Sequence, residues 1–370
     1  MSTFQSLGIP ADLIKSLEEM DIRKPTPVQV ESIPYLVEKG FDFVAQAQTG
    51  SGKTAAFGLP LLTKIDPSNQ KIQALILAPT RELAKQIGKA LFKFTKYAEH
   101  RIFQEVLAGG DKIDLQISKL QRPTQIVIAT PGRLFDLLQR KAISLDAVQY
   151  LILDEADEML SMGFKDQIRE SIELTKARKA TWLFSATFPD VIRDLIKICM
   201  SPDPKTVKID PKNVVNRDID HRFAVCVRED KTDFIDEFLN SQGDKRGLIF
   251  TRTKDGADIL CKQLNARRHS AGVLQGDLTQ LERDKVMRAF KKERTQFLVA
   301  TDVAARGIDV EGLSFVIHHQ LPEQIEYYTH RSGRTARAGK KGISLVLIDP
   351  REKKRLNQFS RDLGIHFGPA

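Results

Sequence analysis

Apolar residues in this chain fall in short unbroken runs, set between longer segments in which they recur every three or four positions. FDFVAQ (41–46), IQALILA (72–78), QIVIAT (125–130), YLILDE (150–155) and ATWLFSAT (180–187) predict strands buried on both faces. Segments 53–64, 81–98 and 189–199 between them predict helices. The second half repeats the style. RGLIFTR (246–252), TQFLVATD (295–302), LSFVIHH (313–319) and GISLVLID (342–349) predict strands, with helices near 254–267 and 279–292. Such alternation defines the α/β class, with parallel sheets covered by helices on both faces. The stretch SPDPKTVKIDPKNVVN (201–216) holds three prolines and no helical period, so it predicts a boundary. The expected division is a first domain over 1–207, a linker over 208–217 and a second domain over 218–370, with a cleft between the domains. No residue-level repeat relates the halves.

Composition changes this picture little. At 370 residues the chain exceeds one ordinary core, and 41% hydrophobic with 28% charged residues is globular. No apolar run approaches the ~20 residues of a membrane span, so no membrane partner is expected. The opening MSTFQSLGIP has neither a basic region nor an apolar one, so no secretory leader is expected, and the cytoplasm is the expected location. Cys199, Cys226 and Cys261 lie far apart without metal spacing, which fits buried thiols. His318 and His319 end a strand and have no ligand-spaced neighbours, and Trp182 lies in an apolar run, as a core residue does. The net charge of +9 divides into about +2 for 1–210 and about +7 for 211–370, a weak pointer to a polyanion. The basic segment REKKRLNQFSRDLG (351–364) reads as a solvated helix, with an RNA contact as the minor reading.

Chemistry enters at AQTGSGKT (47–54), which follows a predicted strand and opens a predicted helix. That context suits a phosphate-binding loop. Gly50, Ser51 and Gly52 let successive N–H groups converge on an anion at the positive end of a helix. Lys53 reaches the β- and γ-phosphates, and the Thr54 hydroxyl ligates Mg²⁺. Ala47 stands where the general pattern has Gly. A second oddity is that YLILDEADEML (150–160) crowds four acids into 154–158 of a basic chain. Asp154, at a strand end, suits Mg²⁺ held partly through water. Glu155 suits the orientation and deprotonation of a water. Asp157 suits hydrogen bonds within the protein, and Glu158 suits a helix start.

With these two motifs in order, the chain resembles the DEAD-box ATP-dependent RNA helicases of superfamily 2, of bacterial type. KPTPVQ (24–29), PTREL (79–83), the pair Gly109-Gly110, TPGR (130–133), SAT (185–187), LIFTR (248–252), QLER (280–283), TDVAARGID (301–309) and HRSGRTARAG (330–339) carry the resemblance over nearly the whole chain. It implies two RecA-like domains in tandem, ATP and Mg²⁺ as cofactors, and RNA-stimulated ATP hydrolysis. Gln29 is implied to read the adenine edge, with Phe4 stacking on the base. Gly307 and Asp309 are implied on the nucleotide, Asp309 at the ribose. Arg334 and Arg337, three apart and so on one face if helical, are implied to be arginine fingers reaching across the cleft. Ser185, Thr187 and Asp157 are implied to couple ATP state to RNA.

RNA contacts are implied at Thr80, Arg81, Gly110, Thr130 and Arg133, and in the second domain at Arg252, Gly276, Arg283 and Thr301. None suits base-edge reading, so sequence-independent binding of single strands or short duplexes is expected, with 2′-OH contacts favouring RNA over DNA. The chain departs from the family at Ile22, where an aromatic is common, and at Gln275, where many members have His. A monomer is expected, and protein partners are not legible. The alternative to an unwinding enzyme is an ATP-gated RNA clamp.

Overall fold

The computed structural model describes residues 2–47, 50–209, 218–305, 313–336 and 340–370. The chain divides into two compact units, Met1–Ile209 and Asp210–Ala370, each built on one seven-stranded sheet. The first unit holds β1 (Phe43–Gln46), β2 (Ala74–Leu77), β3 (Gln104–Leu107), β4 (Ile126–Ala129), β5 (Tyr150–Asp154), β6 (Ala180–Ser185) and β7 (Lys205–Lys208). Their order across the sheet is β3-β4-β2-β5-β6-β1-β7, with every pair parallel.

The second unit holds β8 (Ile219–Val225), β9 (Gly247–Thr251), β10 (Ala271–Leu274), β11 (Phe297–Thr301), β12 (Phe315–His318), β13 (Gly342–Ile348) and β14 (Gly368–Pro369). Their order is β10-β11-β9-β12-β13-β8-β14, again all parallel. Adding seven to each strand number of the first order gives the second. Two sequences with no visible repeat therefore share one topology.

A parallel sheet with helices on both faces has no solvated side, so its inner strands are apolar at every position. β2 and β4 are buried throughout, and β6 likewise. One face of the first sheet is covered by a core that includes Ile33, Phe57, Leu91, Trp182 and Phe184, the other by one that includes Leu134, Met159, Ile168 and Leu195. Trp182 is fully buried, and its indole N–H donates to the Phe41 carbonyl (3.1 Å). The helices Lys53–Lys64, Arg81–Phe94, Asp190–Cys199, Lys254–Ala266 and Gln280–Lys291 fall on the five expected segments. The basic segment forms the helix Lys353–Leu363, with Leu356, Phe359 and Leu363 turned inward, Lys353, Lys354 and Arg361 exposed, and Arg355 half-buried against the Pro322 carbonyl.

All nine expected strands are present, and five more are not foreshadowed by the apolar pattern: β3, β7, β8, β10 and β14. Four of these are the edges of the two sheets. The division between the two units falls inside 201–216, as expected, although part of that stretch, Lys205–Lys208, is the strand β7 paired with β1. The expected linker thus begins at the last residue of a strand, and 210–217 lie outside the described residues.

The second sheet has one tight spot. At Gly247, which starts β9, a methyl group would lie 2.0 Å from the ring of Phe315 on the neighbouring strand, itself fully buried. Gly247→Ala is expected to destabilise the second unit by about 1–3 kcal/mol through overpacking. Thermal unfolding followed by far-ultraviolet circular dichroism measures it.

Candidate functional site

Apart from Phe4 and Gln29, which precede β1, the expected site residues that the structure describes end or follow strands at their C-terminal side, where ligands bind in open α/β folds. The strand order then sorts them. In the first unit the expected RNA residues follow β3, β4 and β2, which are adjacent, and the phosphate-loop, acidic and coupling residues end or follow β1, β5 and β6, also adjacent. In the second unit Gly276, Thr301 and Arg252 follow or end β10, β11 and β9, while Arg334 comes after β12. Each sheet has the same division at the same place.

On the nucleotide side, Gly50 and Gly52 take left-handed backbone, with φ of 82° and 92°. Gly52 caps the helix Lys53–Lys64, and a methyl group there would lie 2.4 Å from the Gln29 amide nitrogen. Gln29 is buried. Its Oε1 accepts from the Thr26 N–H (2.9 Å), and its Nε2 donates to the Gly52 carbonyl (3.0 Å). The residue expected to read adenine therefore also ties its own helix start to the phosphate loop. One amide proton and one oxygen lone pair remain for a ligand. Phe4, expected to stack on the base, is only 3% exposed and packs in the first core with Leu7 and Ile9. Ser51 and Thr54 are half-buried at the loop.

Lys53 is buried at the head of its helix, with Nζ donating to the Ala47 carbonyl (3.1 Å). Asp154 is buried at the end of β5 and accepts from the Glu155 N–H (3.0 Å). Burial pushes its carboxyl up to about 7, against the pull of Lys53. Glu155 adopts φ 51°, ψ 51° between β5 and the helix Ala156–Ser161. A non-glycine residue in that region costs about 1–3 kcal/mol, a strain characteristic of functional turns. Mg²⁺ fits this set: the donors are hard oxygens of Thr54 and Asp154, and the buried carboxylate is short of positive charge.

Behind the site, Asp157 Oδ2 accepts from the Thr187 N–H (2.9 Å) and hydroxyl (2.7 Å). The Asp157 N–H donates to Ser185 Oγ (3.2 Å), and that hydroxyl donates to the Thr187 carbonyl (2.9 Å). The ends of β5 and β6 are thus locked by the three expected coupling residues. Glu158 lies in the first turn of its helix, buried.

On the other half of the first sheet, Arg81 and Arg133 converge on one loop. Arg81 donates to the Gly109 carbonyl (3.3 Å) and pairs with Asp111 (2.9 Å). Arg133 donates to the Asp111 carbonyl (3.1 Å) and to Gln116 Oε1 (2.7 Å). Gly110 between them has φ 84°. Thr80 caps the helix Arg81–Phe94 by accepting from the Leu83 N–H (3.2 Å), and Thr130 occupies the same position before the helix Pro131–Gln139. All five expected RNA residues of this unit are brought together.

In the second unit Arg252 pairs with Glu323, Arg283 donates to the Ala304 carbonyl (2.7 Å), and Thr301 is buried at the end of β11. Gly276 lies beside Lys254, where a methyl group would approach its Cε to 3.3 Å. Gln275 accepts from the Asp277 N–H (2.6 Å), an internal role for the residue that departs from the family. Arg334 is buried just beyond the helix Ile325–Ser332. Gly307, Asp309 and Arg337 lie outside the described residues.

Sequence reasoning missed Arg331. Its guanidinium forms a two-pronged pair with Asp302 (2.5 and 2.6 Å) and lies over the ring of Phe250 (5.2 Å). The partner is 29 positions away, so no local signal exists. The same helix carries Tyr328 and Ser332 into a buried polar network. Tyr328 bonds His221 (2.6 Å) and stacks on His318, and Ser332 bonds Ser344 (2.8 Å). Burial lowers His221 to about 4 and holds His318 well below its ordinary range.

The two units therefore titrate in opposite senses. His221 and His318 fold neutral, so the second unit keeps its full stability above the unfolded value of ~6.5 and loses it as pH falls toward 4. For His221 alone the loss amounts to about 3 kcal/mol. Asp154, raised to about 7, does the reverse: the nucleotide-free first unit loses stability as pH rises through 7. The chain has a single tryptophan, Trp182, in the first unit. Between pH 8 and 5 its fluorescence transition is expected to move to higher temperature, while the part of the circular dichroism transition that Trp182 does not follow moves to lower temperature.

Residues 26–195 match the family model of the DEAD/DEAH box helicase, and 230–339 that of the helicase conserved C-terminal domain. The DEAD-box ATP-dependent RNA helicase CshA of Bacillus cereus is 42% identical over 98% of this chain and 68% of that protein. The ATP-dependent RNA helicase CshA of Listeria monocytogenes is 43% identical over 95% of this chain and 67% of its own length. Among solved structures, S. cerevisiae Dbp5 bound to RNA and ADP BeF3 superposes with a TM-score of 0.90 at 32% identity, covering 100% of this chain and 96% of that one. The chain belongs to the DEAD-box helicase family. No helix among the described residues is long and apolar enough to cross a membrane.

Proposed function

We propose that this protein is an ATP-dependent RNA helicase that holds single-stranded RNA by its backbone and locally opens short duplexes. The observation that carries the reading is the division of the first sheet's strand ends, with phosphate-loop chemistry over one half and a cluster of arginines, hydroxyls and glycine over the other. Nucleotide binds at Gly50–Thr54 and Gln29. The Thr54 hydroxyl and Asp154 would hold Mg²⁺, which would supply positive charge to the phosphates. Glu155 orients the attacking water and takes its proton. Lys53 meets part of the charge that spreads over the γ-phosphate, and Arg334 and Arg337 meet the rest when both ligands are bound.

RNA phosphates bond Arg81, Arg133, Thr80 and Thr130, with Gly110 admitting close approach, and the second unit adds Arg252, Gly276, Arg283 and Thr301. Asp157, Ser185 and Thr187 tie the ends of β5 and β6 together within the nucleotide half, and β5 pairs with β2 of the RNA half, so loss of the γ-phosphate there reaches the RNA side through that strand pair. Both ligands favour the same closed state and hence each other's binding. Strand release tests the unwinding. A short labelled strand paired to a longer one should leave faster with ATP than without. Tight ATP-dependent retention with no gain in release assigns the clamp instead.

A further inference from the structure

The helix Arg81–Phe94 buries Leu83, Ala84, Ile87, Gly88, Leu91 and Phe94. Its outer face is a single stripe of Lys85, Lys89, Phe92, Lys93 and, just past the end, Lys96, all exposed. Lys85 pairs with Asp111 (3.4 Å) and Lys96 with Glu19, whereas Lys89 and Lys93 make no ion pair among the described residues.

Aromatic rings accompany these cations. Among the described residues four aromatic side chains are strongly exposed, and three of them, Phe92 (67%), Tyr97 (38%) and Phe103 (40%), lie on this helix or on its way to β3. The Arg101 guanidinium sits over Phe103 (5.0 Å) and Lys15 over Tyr97 (4.4 Å). The Gly88 carbonyl accepts from Gln104 (2.6 Å), which holds the helix along β3, the outer strand of the sheet. Phe92 is one turn further on.

The head of this stripe is Arg81, bonded to the Gly109 carbonyl in the proposed RNA site. We infer that the outer edge of the first unit, from Lys85 to Phe103, is a second RNA track. A strand leaving the site at Arg81 and Gly110 runs down the helix, with phosphates on Lys89 and Lys93 and bases on Phe92 and Phe103. The chemistry is that of a sequence-independent single-strand surface, in which cations follow the backbone and exposed rings take any base. It rests on the RNA reading of the main site, with which it is continuous, and it extends that site in length.

The test uses the full chain and a ladder of oligouridylate lengths, reading RNA affinity and RNA-stimulated ATP turnover. The variants are Lys89→Glu with Lys93→Glu, and separately Phe92→Ala. All three positions are on the surface, so folding is preserved. Wild-type affinity should rise with length beyond the shortest RNA that stimulates turnover, and the variants should stop rising there. On long RNA the double variant should lose about 1.4 from the slope of log affinity against log salt, at about 0.7 per phosphate contact. Phe92→Ala should bind long RNA about tenfold more weakly. Variants that follow wild type at every length overturn the track and leave the patch to an acidic protein. Equal losses at the shortest stimulating length also overturn it. If no RNA of any length stimulates the wild type, the main-site reading fails as well.

Discussion

Glu155→Gln is expected to keep ATP and RNA bound while lowering ATP turnover by about 10²–10⁴-fold. The amide has the shape of the carboxylate and sits in the same left-handed turn, so the backbone at φ 51° need not change. What disappears is the group proposed to take a proton from the water. Asp154 does not substitute in this reading, because one of its oxygens accepts from the Glu155 N–H and its carboxylate is the one proposed to hold Mg²⁺. Steady-state turnover at saturating RNA, alongside nucleotide affinity, checks it. Turnover within a few-fold of wild type would remove Glu155 from the chemistry.

The second large effect is expected at Arg334. Its loss as alanine should lower turnover by about 10³–10⁵-fold with little change in ATP affinity, since a finger acts on charge that appears in the transition state. Lysine should not restore the rate, because it lacks the planar fork. Arg334 is buried, so Arg334→Lys also serves as the folding control through its melting curve. Equal losses in affinity and turnover would make Arg334 a ground-state ligand.

The parts legible in sequence were the local ones. A phosphate loop announces itself in eight consecutive residues, and the acidic cluster in five, because strand, turn and helix start are contiguous there. Inner strands announced themselves as apolar runs. Edge strands did not: Gln104–Leu107 and Lys205–Lys208 have one flank open and carry polar residues that a central strand cannot. Contacts between distant segments were equally silent. Gln29 bonds Gly52 across 23 positions, and Arg331 bonds Asp302 across 29. Resemblance grouped Asp157 with Ser185 and Thr187, but the hydrogen bonds that join them span about thirty positions and appear only in the fold. Phe4 shows the opposite limit, since a residue singled out for a ligand is packed in a core. The shared topology of the two units was invisible for the same reason, as strand order is set by packing and leaves no common residues.

The account stands or falls on ATP chemistry that is incomplete until RNA is bound. Turnover of the purified protein with saturating ATP and Mg²⁺ should be measured with and without a long single-stranded RNA. The expected result is a rise of about tenfold or more on adding RNA, with single-stranded DNA far less effective. The same rate with and without RNA contradicts it.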